Sequence, residues 1–218
     1  MNEANICING IYDLRTLKQL NQMGVGRIGF EFNPKSFTFI QEHVFLDLIK
    51  ADFSENKIIY LNFKNNKDVM IGKIVNDLTK INPNLLNNLI FVFDEYIEDN
   101  FNFPFLLKYS PYISNKINTN FFIGFIFDFS DFEIAYNAST LTNLISNLYT
   151  KFPKLANGQL VSALNINWTD NLFSSLFDFM EFEFIQLNIN YDVEVCYRNV
   201  DLNKLNIELK NKKKYLNL

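Results

Sequence analysis

Glycine is scarce in this chain. There are 7 in 218 residues, where average usage of about 7% gives roughly 15. They are Gly10, Gly24, Gly26, Gly29, Gly72, Gly124 and Gly158, and the last sixty residues have none. A C-terminal third without glycine is poorly equipped to wrap backbone around a phosphate. Cysteine is nearly as rare. Cys7 and Cys196 alone, without a signal-type N-terminus, exclude a disulfide framework and point to a reducing cytoplasm. The single histidine, His43, and scattered carboxylates offer no metal-ligand cluster. An excess of positive charge is also missing: 20 Lys+Arg face 24 Asp+Glu, for a net charge of −4. That excludes a general nucleic-acid binder, which would carry a basic footprint. No apolar run approaches the roughly 18 residues of a membrane span. No dinucleotide G-x-G-x-x-G or P-loop occurs, so no cofactor is expected; Gly24-Val25-Gly26 sits at a helix end, the wrong context. With 5 prolines and no Gly/Ser or like-charge stretch to act as a linker, residues 1–218 read as one domain.

What the chain does have is apolar residues, 48% of the total, with 24 phenylalanines. Asparagine is abundant and reads mostly as surface filler of an AT-rich coding sequence. Short apolar runs alternate with helical periodicity. The strands are expected at Ile6–Ile8, Arg27–Phe32, Lys57–Asn62, Asn88–Phe93, Phe121–Phe127, Leu160–Leu164 and Phe184–Ile189. Between and after them, helices are expected from Asp13 to Gly24, Phe39 to Ile49, Asp68 to Leu78, Phe103 to Tyr109, Ser139 to Phe152, Asp170 to Met180 and Leu202 to Leu209. Such alternation means a parallel sheet, either a barrel or a doubly wound sheet. A (β/α)8 TIM-type barrel needs eight strands. One βα unit is therefore shortened or irregular, with its strand between Phe93 and Phe121.

The first forty residues narrow the choice. Gly10-Ile11, a helix closed by Gly24, and Ile28-Gly29-Phe30-Glu31-Phe32-Asn33-Pro34-Lys35-Ser36 resemble the phosphoribosylanthranilate isomerase family. That family opens with K-I-C-G, a helix ending in Gly, and G-F-x-F-x-P-K-S-x-R. More loosely, Gly124-Phe125-Ile126-Phe127-Asp128 resembles its sixth strand, F-L-F-D-T. Ser162-Ala163-Leu164-Asn165-Ile166 resembles the seventh, and Asn188 to Glu194 with Asp201 to Leu205 the eighth. The resemblance implies a (β/α)8 barrel and an Amadori rearrangement of a phosphoribosyl amine in tryptophan biosynthesis. In that chemistry an acid protonates the ribose ring oxygen and a base removes a proton from the adjacent carbon.

Carried over residue by residue, the resemblance makes Asp128 the acid. The family's basic Cys falls on Asn9 in an ungapped match, or on Cys7 if two residues are inserted. Neutral Asn has no usable proton-accepting chemistry, and a Cys inside an apolar strand is usually inert packing. Gly10, Lys35, Ser36 and Thr38 fall on substrate-holding positions, with Thr38 where the family has Arg. Threonine lacks that charge and its fork of donors. Asn165 and Asn190 fall near the phosphate loops. There Leu164-Asn165 replaces Gly-Gly, and Tyr191-Asp192 stands near Ser-Gly. The leucine is expected to fill the phosphate space and the aspartate to repel the anion. Trp168 is expected to pack within its loop, and His43 to lie on the outer surface.

Two functions follow. One is the isomerase of the resemblance, acting on a small phosphorylated molecule in the cytoplasm as a monomer or homodimer. The other, which the departures favour, is a non-catalytic barrel relative serving as a binding or interaction protein. A third and weaker reading is a different small-molecule enzyme using Asp128 with Tyr191 and Asp192.

Overall fold

A computed structural model describes residues 6–52, 56–97, 101–113, 117 and 120–216. Eight parallel strands close in sequence order: β1 (Ile6–Asn9), β2 (Arg27–Glu31), β3 (Ile58–Asn65), β4 (Leu89–Glu95), β5 (Phe105–Lys108), β6 (Phe122–Asp128), β7 (Val161–Ile166) and β8 (Phe184–Asn188). The closing seam pairs β1 with β8, Ile6 opposite Ile185 through Asn9 opposite Asn188. This is the expected (β/α)8 TIM-type barrel. The helices are α1 (Leu14–Gln22), α2 (Glu42–Asp52), α3 (Val69–Ile81), α4 (Phe129–Asn137), α5 (Leu141–Lys151), α6 (Pro153–Ala156) and α7 (Leu202–Tyr215).

Strand alternation divides the side chains between two cores. Cys7, Tyr60, Val92, Leu106, Ile126, Ala163 and Phe184 fill the barrel interior. Their neighbours along each strand, among them Ile8, Phe30, Leu61, Phe93 and Leu164, face the helices in a larger cluster. The N-terminal end of the barrel is plugged by Arg27. Its guanidinium donates to Tyr60 Oη at 2.6 Å and Glu183 Oε1 at 2.7 Å, and lies 4.8 Å from the Phe184 ring centroid.

The eighth strand lies where it was expected, but it overturns the helix assigned to Phe103–Tyr109. Phe105–Lys108 is β5, paired with β4 on one side and β6 on the other. A four-residue apolar run fits either element on pattern alone; two strand edges needing partners decide it. Among the described residues, no helix follows β4 or β5. Phenylalanines take over that covering role. Phe101 and Phe103, from the β4–β5 connection, pack on Phe91 with centroids 5.0 and 5.5 Å away, and Phe101 also meets Phe93 at 5.1 Å.

Two other helices differ from expectation. The Asp170–Met180 segment is only a 3-10 turn over Phe173–Asp178. The helix expected from Ser139 is preceded by α4, and Ser139, in the left-handed region at φ 57°, separates α4 from α5. After β8 the chain forms a short hairpin, β9 (Glu194–Cys196) with β10 (Asn199–Val200), before entering α7.

Candidate active site at the mouth of the barrel

The inward-facing series on each strand runs from the apolar interior to one polar residue at the C-terminal mouth. Two positions beyond Cys7, Tyr60, Val92, Leu106, Ile126 and Ala163 stand Asn9, Asn62, Asp94, Lys108, Asp128 and Asn165. Glu31 and Asn188 complete the ring from β2 and β8. Catalytic residues of such barrels come from these strand ends.

Hydrogen bonds tie most of the ring together. Asn9 Nδ2 donates to Glu31 Oε1 and to Asn188 Oδ1, each at 2.9 Å. Asn62 Nδ2 donates to Asn9 Oδ1 at 2.9 Å. Asn188 Nδ2 donates to Asn165 Oδ1 at 2.7 Å, and Asn165 Nδ2 to Asp128 Oδ1 at 2.6 Å. Between the adjacent ends of β4 and β5, Lys108 Nζ pairs with Asp94 Oδ1 at 2.8 Å. Gly29 is what admits Asn9: a Cβ there would stand 2.3 Å from Asn9 Oδ1.

Three carboxyls, Glu31, Asp94 and Asp128, thus surround one ammonium. Burial pushes the Glu31 carboxyl up, against the opposing pull of the Lys108 charge and the hydrogen bond from Asn9. Burial works to lower Lys108, but the charges of Glu31, Asp94 and Asp128 and the Asp94 hydrogen bond outweigh it and raise its pKa. Cys7 lies one layer deeper than Asn9. It is fully enclosed, and burial pushes its thiol up, away from the thiolate a base requires.

The sequence-predicted positions separate into two groups. Asp128 and Asn165 meet at the mouth, with the Asp128 side chain exposed. Asn9 is in the floor. Gly10, at φ 83°, abuts Thr38, which is buried over it and so does not reach the mouth as a long polar residue would. Ser36 hydrogen-bonds Glu31, and Lys35 is exposed on the β2–α2 loop. Asn190 is turned into its own loop, accepting from the Asp192 amide at 2.9 Å. One expectation about the phosphate loops is corrected. Leu164 packs outward against the helices because it alternates with inward Ala163 and Asn165, so it does not fill the phosphate space. Tyr191, in the loop after β8, is 77% exposed. Trp168 is buried in its loop as expected, donating to the Asn188 carbonyl at 2.7 Å.

Backbone amides in the loop after β7 and in the first turn of α7, which follows β8 and the hairpin, are engaged by the chain's own side chains. Asp170 accepts from the Asn167 amide at 2.7 Å, and Asp201 caps α7, accepting from the Asn203 and Lys204 amides at 3.0 Å each. These loops and α7 line a cavity of about 880 Å³ that includes Trp168, Thr169, Asp192, Lys204 and Lys212.

Glu31, Asn62, Asp94, Lys108 and Asn188 escaped the motif reading. Parity along each strand was the available signal: each lies two or four residues beyond an interior position. For Lys108 that signal was masked by the helical assignment.

Fold and mouth together define a (β/α)8 barrel whose strand ends carry acid–base groups. No protein-family model matches the chain, and no curated protein matches it. Solved structures do. Phosphoribosylanthranilate isomerase from Thermotoga maritima, in a monomeric form of a dimeric protein, is 15% identical. It superposes with a TM-score of 0.59 over 97% of this chain and 99% of its own. TrpF from Jonesia denitrificans is 12% identical, with a TM-score of 0.60 over 97% and 98%. Orotidine 5'-monophosphate decarboxylase from Metallosphaera sedula is 15% identical, with a TM-score of 0.53 over 97% and 99%. The chain therefore has the barrel fold of the phosphoribosylanthranilate isomerases, a fold that also carries decarboxylase chemistry.

Proposed function

We propose that this barrel is an isomerase of the phosphoribosylanthranilate type, rearranging a phosphoribosyl amine by proton transfer at its mouth. The observation that carries the reading is Asp128. Its carboxyl is exposed at the end of β6, held by Asn165, at the position the looser sixth-strand resemblance assigns to the acid. Asp128 protonates the ribose ring oxygen, and the ring opens. Lys204 and the cavity beside Trp168, where Lys212 and Lys214 outnumber Asp192 and Glu208 with it, supply the space and positive charge for the substrate phosphate, in place of a glycine-rich cup. Such an enzyme works in the cytoplasm, as a monomer or homodimer.

A second reading, a non-catalytic relative, draws on a different observation. Asn9 stands where a thiol base is expected, and the amides of Asn167 after β7 and of Asn203 at the start of α7 are already engaged by Asp170 and Asp201. Rescue of a tryptophan-requiring strain lacking the isomerase separates the two. Growth that disappears with Asp128→Ala supports the isomerase. Absence of growth from a folded, well-expressed protein supports the non-catalytic barrel.

A further inference from the structure

An isomerase of this type needs a proton acceptor beside the sugar carbon adjacent to the amine-bearing one, and Asn9 cannot be it. We propose that Glu31 is the catalytic base, with Asn9 as the residue that positions it; this rests on the isomerase reading above.

The geometry carries the assignment. Glu31 ends β2 and Asn9 ends β1, side by side in the floor of the mouth. The Asn9 amide holds Glu31 Oε1 at 2.9 Å while its carbonyl oxygen is held by Asn62. Gly29 leaves the room for that arrangement. An amide at the end of β1 thus presents a carboxylate from the adjacent strand. Burial, which raises the Glu31 carboxyl, makes the ionised form a stronger base than a solvated carboxylate. The titratable and charged groups facing it are Lys108, Asp94 and, through Lys108, Asp128; Ser36 contributes a hydrogen bond. The Lys108 charge opposes that rise.

The step balances without a co-reactant. Asp128 gives its proton to the ring oxygen, the C1–O bond breaks, and the nitrogen lone pair forms C1=N. Glu31 takes the proton from C2. The C–H electron pair forms C1=C2, and the C=N pair returns to nitrogen. Glu31 then delivers that proton to C1 as the enol O–H proton is lost to solvent, leaving the ketone. Asp128 is reprotonated from solvent.

The test uses the full chain and phosphoribosylanthranilate, with turnover and its pH profile as readouts. Glu31→Gln, which keeps the acceptor for Asn9, is expected to lower kcat by about 10²–10⁴-fold. Glu31→Asp, which withdraws the carboxylate by one methylene, is expected to retain part of the activity. Adding Asn9→Cys to Glu31→Gln is expected to restore turnover. Its acidic limb then moves to the higher pH of a thiol, and it becomes sensitive to alkylation. Wild-type turnover with a Glu31→Gln variant within about threefold overturns the base assignment and leaves the isomerase standing. A folded wild-type protein without turnover overturns both. If Glu31→Gln loses its fold by circular dichroism, Glu31→Asp decides: unchanged kcat and pH profile overturn the assignment.

Discussion

Asp128 and Glu31 have opposite surroundings, and that difference sets their expected behaviour. Asp128 is exposed and makes no side-chain cap to α4. Asp128→Asn is therefore expected to lower kcat by about 10²–10⁴-fold while thermal melting stays where it is, as for most surface changes. A kcat loss that tracks a lowered Tm would instead make Asp128 structural. Gly29 is the reverse case, important through what it leaves out. Gly29→Ala places a methyl 2.3 Å from Asn9 Oδ1. It should destabilise by about 1–3 kcal/mol, the range for overpacking, read by denaturant unfolding. At this scale the motif exposed Asp128, Gly10 and Gly29. It did not expose Glu31, which occupies the variable position of G-F-x-F. Its meaning depends on Asn9, 22 residues away in the chain, and no local pattern reports that pairing.

Elements were legible where length and periodicity agreed. α1 begins at the Asp13 cap, whose side chain accepts from the Thr16 amide at 2.8 Å, and Gly24 follows it at φ 70°. β5 was not legible, because four apolar residues carry no period. The β4–β5 connection shows how the fold survives the shortened unit. Phe101, in a connection rather than a helix, is 9% exposed and touches Phe91, Phe93, Phe103 and Phe105. Phe101→Ala is expected to cost about 3–5 kcal/mol, as much as a core residue of a regular helix. A change within about 0.5 kcal/mol in an unfolding titration would show that this connection does not hold the outer face of β4.

For the molecule as a whole, the mouth is a source of pH dependence. Glu31 has its carboxyl raised by burial. Its contribution to stability is thus fully present below the unfolded carboxyl range, about pH 4.3, and is lost as pH rises through its folded pKa. Glu31→Gln removes that loss. The variant is expected to be more stable than wild type at pH 7, with the difference closing near pH 4; denaturant melts at both values check it. Equal stability at pH 7 would mean that Lys108 and Asn9 offset the burial completely. A gain in stability together with a loss of turnover is what a carboxylate kept for chemistry gives.

The sequence by itself determined the class of fold and much of its layout. Alternating apolar runs and amphipathic stretches require a parallel sheet covered by helices, and the missing strand could be placed by counting. It also determined that glycine is absent after Gly158, so the loops after β7 and β8 are poorly equipped to wrap a phosphate in bare backbone. Only the tertiary structure decided what takes glycine's place. Asp170 engages an amide of the loop after β7 and Asp201 those of the first turn of α7, Leu164 turns away to the helices, and Lys204 lines the adjoining cavity. It also brought Glu31 to Asn9. The physical reason is closure: a barrel sets the ends of eight strands around one mouth, so its chemistry is made of residues that are distant in the chain.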